Sequence, residues 1–285
     1  MQKFILFFGC AIFINQLSAQ TYISDSIKHE GIDRDYILYI PAIYDGSEVV
    51  PLLLNLHGYS SNNFEQYFYG DFKQIADTAN FIMVLPNGLY DEFGFRRWNC
   101  FQADGIGVDD VQFLSNLIDT ISADYNIDAN RIYSTGMSNG GFMSYTLAGE
   151  LSNRIAAVAS VTGSIHKDRF PALDPQHPTP VMEIHGTADF TVPYNGSSDF
   201  IGVDSVINYW VGINNCDTDP EFIEVENISI TDGCTAEHYI YTGGDNNANV
   251  ELFKIINGGH TWPGTAFTYI GVTNLDINAS KEIWN

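Results

Sequence analysis

Positive charge is what this sequence has least of. Lys and Arg number 12 among 285 residues, against 35 Asp and Glu, for a formal net charge of −23. Such a surface is repelled by phosphate backbones and by anionic lipid headgroups, so no nucleic-acid partner and no electrostatic membrane docking is expected. It reads instead as a heavily hydrated acidic surface. Cysteine is scarce as well, with 4 in all. None has the spacing of zinc ligands, and no metal site is expected. Beyond residue 19 no apolar run is long enough to span a bilayer, so no stable membrane insertion is expected. Repeats, low-complexity linkers and breaks in composition are missing too, which points to one domain over residues 20–285.

What is present begins with an export signal over residues 1–19. Lys3 supplies the positive end, Phe4 to Ile14 the apolar stretch, and Leu17-Ser18-Ala19 a small residue before cleavage at Gln20. A lipoprotein reading through Cys10 would cut the apolar stretch to about half and is the weaker alternative. The mature protein is expected outside the cytoplasm, secreted or periplasmic, where disulfides are permitted. Cys216 and Cys234, close in sequence on either side of the strand-like Phe222 to Ile230, are the favoured pair. Closing that loop is worth about 3 kcal/mol on the chain-entropy account. Cys100 is then an odd thiol.

With 45% hydrophobic and 14% aromatic residues the chain is that of a globular protein with a large core. Thr21 to Ile27 and Asp35 to Ile40 read as strands, and Pro51 to Leu56 as a strand buried on both faces. A helical pattern covers Asn63 to Thr78, followed by the strand Phe81 to Leu85 and a loop from Leu89 to Gly107. Asp109 to Tyr125 places Val111, Leu114, Leu117, Ile118 and Ile121 on one helical face. Strands at Ile155 to Val161 and Val181 to Ile184, a helix at Val203 to Gly212, and β-rich segments at Phe222 to Ile230, Glu237 to Thr242 and Val250 to Ile256 follow. Asp276 to Trp284 reads as a final helix. Alternation of this kind calls for an α/β fold, a mainly parallel central sheet with helices on both faces.

The chemistry starts at Gly136-Met137-Ser138-Asn139-Gly140-Gly141, directly after the strand-like Arg131 to Thr135. Gly-x-Ser-x-Gly between a strand and a helix is a turn so tight that side chains at Gly136 and Gly140 would meet neighbouring backbone. It pushes the serine hydroxyl out of the sheet and leaves it at a helix N-terminus. A serine hydroxyl needs a histidine base held by a carboxylate, in the chain order nucleophile, acid, base. Asp189 stands just past the strand Val181 to Ile184, and His260 stands in the Gly-rich loop after Val250 to Ile256. His185 is the rival base, and its place beside Gly186-Thr187 favours a structural role. His29, His166, His177 and His238 stand in no such context. Two N–H donors for an oxyanion are expected from Asn139, after the nucleophile, and from Tyr59, after Leu56-His57-Gly58.

These residues resemble the secreted esterases grouped with polyhydroxybutyrate depolymerases and feruloyl esterases. The likeness rests on Leu56-His57-Gly58, Gly136 to Gly141, His185-Gly186-Thr187-Ala188-Asp189 and Gly259-His260-Thr261-Trp262-Pro263-Gly264. Val108 to Val111, Tyr125 to Asp128 and Arg131 to Tyr133 add to it, so that it covers most of the chain from Tyr36 onward. The resemblance implies an α/β-hydrolase fold, a Ser138–Asp189–His260 triad, and ester hydrolysis through an acyl-enzyme without cofactor. The Met-Ser-Asn elbow and the His-Thr-Trp-Pro-Gly segment resemble the feruloyl-esterase branch, which implies feruloyl or acetyl-xylan esters of plant polysaccharides. Trp98, Trp262, Tyr59 and the loop Phe93 to Phe101 are expected to line the cleft, with ordinary core packing as the competing reading of the aromatics. Arg96-Arg97 is read as a structural ion pair ahead of a substrate contact. A polyester hydrolase, a serine peptidase and a non-catalytic carbohydrate-binding module remain as alternatives, although peptidases on this fold carry a further domain and no triad residue is missing here.

Overall fold

The computed structural model describes residues 20–101, 107–266 and 270–285. The expected export signal, residues 1–19, lies outside them. The described chain opens with a hairpin of β1 (Thr21–His29) and β2 (Ile32–Ile40). β3 (Val50–Leu56) and β4 (Ile82–Pro86) are buried throughout, as their unbroken apolar runs require of strands covered on both faces. Pro51 has no N–H to give to a neighbour, and the pairing of β3 with its partner shifts register between Val50 and Leu52.

The expected helix over Asn63 to Thr78 is two helices, α1 (Asn63–Tyr69) and α2 (Lys73–Ala79). Periodicity ran on through Gly70, but the chain breaks there because Gly70 is packed against polar side chains. Its carbonyl accepts from Asn55 Nδ2 at 2.8 Å, and a Cβ would stand 3.3 Å from Asn55 Oδ1. The loop from Leu89 hides a small hairpin of β5 (Leu89–Tyr90) and β6 (Arg96–Arg97). α3 (Asp110–Asp124) starts at Asp109, whose carboxylate accepts from Gln112 N at 2.9 Å.

The remaining elements alternate as expected: β7 (Ile127–Met137), α4 (Asn139–Glu150), β8 (Ala157–Val161), β9 (Val181–Gly186) and α5 (Val203–Asn214). The expected strand Phe222 to Ile230 shrinks to the exposed β10 (Glu221–Glu224). β11 (Thr235–Tyr241), β12 (Val250–Ile256) and α6 (Ala279–Trp284) complete the described chain.

Ten strands form one sheet in the order β1-β2-β4-β3-β7-β8-β9-β12-β11-β10. From β4 to β12 the pairs are parallel, while both flanks are antiparallel. Strand alternation divides the core between the two faces. Leu52, Leu54 and Leu56 pack with α3, α4 and α5, and Leu53 packs with Ala76 of α2 and Ala279 of α6. Every parallel strand ends at the same edge, and the loops that leave this edge carry His57, Ser138 and Asp189 and, after β12, His260.

The cysteine pairing is not formed. Cys100, Cys216 and Cys234 are all free and buried. Cys216 follows α5 and belongs to the core on the α3–α4–α5 face, its thiol directed at Ala248 O at 3.3 Å. Cys234 lies in the core on the opposite face with Trp262 and Ile277, its thiol 3.5 Å from Asp232 Oδ1. The sheet separates them, and closeness in sequence does not bring the sulfurs together.

Candidate active site

Ser138 is the residue between β7 and α4, with φ 54° and ψ −120°. A side chain held in that region costs roughly 1–3 kcal/mol and survives only where its surroundings fix it. Here they do. Ser138 N–H donates to Val161 O at 2.8 Å, and Ser138 O accepts from Phe142 N at 2.9 Å as α4 begins. Gly136 and Gly140 face the end of β3: a Cβ on Gly136 would stand 2.6 Å from Leu56 O, and one on Gly140 would overlap the same oxygen. α4 is buried along almost its whole length, so the turn cannot shift without repacking the core. Among the described residues Ser138 Oγ has no hydrogen-bond partner.

Asp189 and His260 meet because two loops join backbone to backbone. Thr187 N–H donates to Ile255 O at 2.8 Å and Ala188 N–H to Gly258 O at 2.9 Å. Gly186 lies so close to Gly258 and Gly259 that any side chain there would displace them. This brings His260 Nδ1 within 2.7 Å of Asp189 Oδ2. Both residues are buried. The other carboxylate oxygen accepts from Thr191 N and Val192 N at 2.8 and 2.9 Å. Burial alone would favour the protonated acid. The histidines His185 and His260 outweigh it and hold the Asp189 carboxyl well below the usual carboxylate range. A carboxylate acceptor assigns the proton to Nδ1 and leaves Nε2 of His260 as the basic nitrogen.

His185 proves structural, as its sequence context suggested, and it has partners that the sequence did not disclose. Its ring is fully buried, with Nδ1 at 2.8 Å from Glu183 Oε1 and Nε2 at 2.8 Å from Val192 O and 3.4 Å from Asp189 Oδ2. Tyr145 OH from α4 donates to the second Glu183 oxygen at 2.7 Å. Burial opposes a charge on this imidazole, but Asp189 and Glu183 override it and raise the group to about 10. Glu183 and His185 share one face of β9 because they are two residues apart, the only signal in the sequence for this pair.

The loop after β3 is fixed by its own histidine. His57 Nδ1–H donates to Gly58 O at 2.7 Å, and Nε2 accepts from Gly88 N at 3.0 Å. Gly58 is within ordinary contact of Ser138, since a Cβ built there would stand 3.5 Å from the serine Cβ. Neither Tyr59 N–H nor Asn139 N–H has an acceptor among the described residues, and both remain available at this edge.

Neither Trp98 nor Trp262 stands exposed at this edge. Trp98 is 0% exposed and Trp262 2% exposed, with indole N–H groups donating to His57 O at 2.9 Å and Ser280 Oγ at 3.2 Å. Each tryptophan satisfies its polar end inward, and the core-packing reading holds. The exposed aromatic rings at this edge are others: Tyr59 at 44%, Phe95 at 47% and Phe190, next to Asp189, at 91%. Tyr59 and Phe95 pack with ring centroids 5.7 Å apart. Arg96 is structural, lying 3.5 Å from Asp35 and donating to Gly88 O at 2.9 Å. No group of metal-ligating side chains occurs among the described residues, and no described helix is long and apolar enough to cross a membrane.

Comparison with known proteins agrees with this architecture. A bifunctional acetylxylan esterase/xylanase of Neocallimastix patriciarum is 32% identical over 179 residues, covering 63% of this chain and 25% of that protein. Feruloyl esterase B of Piromyces equi is 28% identical over 242 residues, covering 80% of this chain and 42% of that one. The chain thus spans less than half the length of these two relatives. Among solved structures, acetyl xylan esterase from Aspergillus awamori superposes with a TM-score of 0.65 at 14% identity, over 85% of this chain and 94% of that one, and shares the α/β-hydrolase fold. The profile of esterase PHB depolymerases matches residues 34–184, from within β2 through Ser138 into β9, and on that match the chain belongs to the esterase PHB depolymerase family.

Proposed function

We propose that the protein is a serine carboxylic-ester hydrolase in which Ser138 is the nucleophile, His260 the general base and Asp189 its orienting acid. The observation that carries the reading is the 2.7 Å bond from His260 Nδ1 to Asp189 Oδ2, made between loops 71 residues apart at the sheet edge where Ser138 stands in its strained turn. Ser138 Oγ attacks the ester carbonyl as its proton passes to His260 Nε2. Asp189 holds the imidazole tautomer and stabilises the cation. The carbonyl oxygen, now an anion, is received by the N–H groups of Tyr59 and Asn139. His260 then returns the proton to the departing alkoxide. Water activated by the same nitrogen hydrolyses the acyl-enzyme.

The substrate class we propose is a feruloyl or acetyl ester on plant polysaccharide. The names of these two relatives support it, and the exposed rings of Tyr59, Phe95 and Phe190 supply apolar surface beside the site. The export signal expected of residues 1–19 is consistent with a polymeric substrate met outside the cytoplasm. The family name keeps a hydroxyalkanoate polyester as the second reading. The test is hydrolysis of methyl ferulate, acetylated xylan and a hydroxybutyrate oligomer by the wild type and by Ser138→Ala. Ferulate or acetyl-xylan turnover that disappears in the variant supports the first reading, and oligomer turnover alone supports the second. Equal turnover in both proteins refutes Ser138 as nucleophile.

A further inference from the structure

An oxyanion site built from two backbone N–H groups has a mechanical difficulty. Tyr59 lies on the loop after β3 and Asn139 on the first turn of α4. Nothing in the chain's connectivity fixes the distance between their donors, yet each must stand about 2.7–3.1 Å from one developing oxyanion. Tolerances at such a site are near half an ångström.

One residue touches both segments. The indole N–H of Trp98 donates to His57 O at 2.9 Å, immediately before the Gly58–Tyr59 peptide. The peptide groups of the same residue are held by the Asn139 side chain: Trp98 N–H donates to Asn139 Oδ1 at 2.6 Å, and Asn139 Nδ2 donates to Trp98 O at 3.3 Å. Asn139 Nδ2 also points at Cys100 Sγ at 2.9 Å. Trp98, His57 and Asn139 are each at most 2% exposed, so water does not compete for these bonds. The bridging segment is itself anchored on both sides. Ser60 N–H donates to Arg96 O at 2.9 Å, and Asn99 N–H donates to buried Asp110 Oδ2 at 2.8 Å.

We infer that Trp98 is a positioning residue of the oxyanion site, a buried brace that sets the spacing between the Tyr59 and Asn139 donors, with the Asn139 amide as its counterpart. The inference rests on the triad reading above. It assigns Trp98 no contact with substrate. A ring that only filled space would serve as well without its N–H, and a brace would not.

Trp98→Phe separates the two, because it keeps an aromatic ring in the core and removes the donor to His57 O. Expected is a fall in kcat of about tenfold, a fraction of what a lost oxyanion donor costs, with KM unchanged. Affinity for a trifluoromethyl ketone, whose serine adduct places an oxyanion in the same donors, falls in step with kcat. Affinity for the product acid does not. Asn139→Ala keeps the backbone donor while cutting the brace from the other side, and serves equally if Trp98→Phe fails to fold. Both variants together are expected to lose much less than the product of the single losses, because they break one connection. Turnover surviving in Ser138→Ala overturns the site and this inference with it. Ser138-dependent turnover with kcat and ketone affinity unchanged in both single variants, or with a loss confined to KM, overturns the role of Trp98 alone.

Discussion

His57 gives the sharpest quantitative expectation, and it concerns stability in acid. Its imidazole is fully buried, and Nε2 is already occupied as acceptor of the Gly88 N–H at 3.0 Å. Protonating that nitrogen sets two N–H groups against one another in a site without water. Burial, with the nearby Arg96 charge adding to it, lowers the group from 6.5 to about 4. The unfolded chain therefore takes up a proton near pH 6.5 and the native chain only near pH 4. Between these values the unfolded state holds more protons, and acid favours it. The stability that His57 provides is complete above pH 6.5 and is lost as pH falls to about 4. At roughly 1.4 kcal/mol per pH unit that loss amounts to about 3 kcal/mol.

Other groups titrate as well, so the measurement is a difference. Urea unfolding of the wild type and of His57→Asn is followed at intervals from pH 7 to pH 4. The variant is the less stable protein at pH 7, since it loses the ring's fixed hydrogen bonds. Its deficit is expected to shrink by about 3 kcal/mol on reaching pH 4, because it has no buried imidazole left to protonate. Parallel stability curves for the two proteins across that range refute the assignment of a neutral, doubly engaged His57.

Two further expectations follow from buried polar groups. Arg34 and Asp110 form a 2.6 Å ion pair with side chains 1% and 2% exposed, the guanidinium lying 3.8 Å over the Phe113 ring. Asp110→Asn strands that cation and is expected to cost about 3–5 kcal/mol in urea unfolding; because Asp110 also accepts from Asn99 N–H, kcat is expected to fall with it. The free thiols of Cys100, Cys216 and Cys234 are buried, so a thiol reagent is expected to label them only as the protein unfolds, and reductant is expected to leave Tm unchanged. A Tm that drops on reduction restores the disulfide.

Most of the fold was legible because its signals are local. The unbroken apolar runs of β3 and β4, the amphipathic period of α3 and the Gly-x-Ser-x-Gly turn each announce an element within a few residues. Even Asp189 and His260 were reachable, since each follows a recognisable strand. The misreadings arose where long-range contact overrode local pattern. The Asn63 to Thr78 period ran through Gly70, but packing against Asn55 and Gln66 ended the helix there. Cys216 and Cys234 are neighbours in sequence with the sheet between them. Trp98 and Trp262 carried the right residue type for a cleft, and only burial shows that they turn inward.

The sequence by itself thus determined the alternation of strands and helices, the elbow at Ser138 and the places of Asp189 and His260 after their strands, because these depend on neighbours along the chain. Tertiary structure alone decided what holds them. The Tyr145 hydroxyl on Glu183 behind Asp189, the indole N–H of Trp98 on His57 O and the Asn139 amide on the Trp98 peptide join segments tens of residues apart. A hydrogen bond acts over about 3 Å whatever the separation along the chain, and periodicity in a sequence carries no record of it.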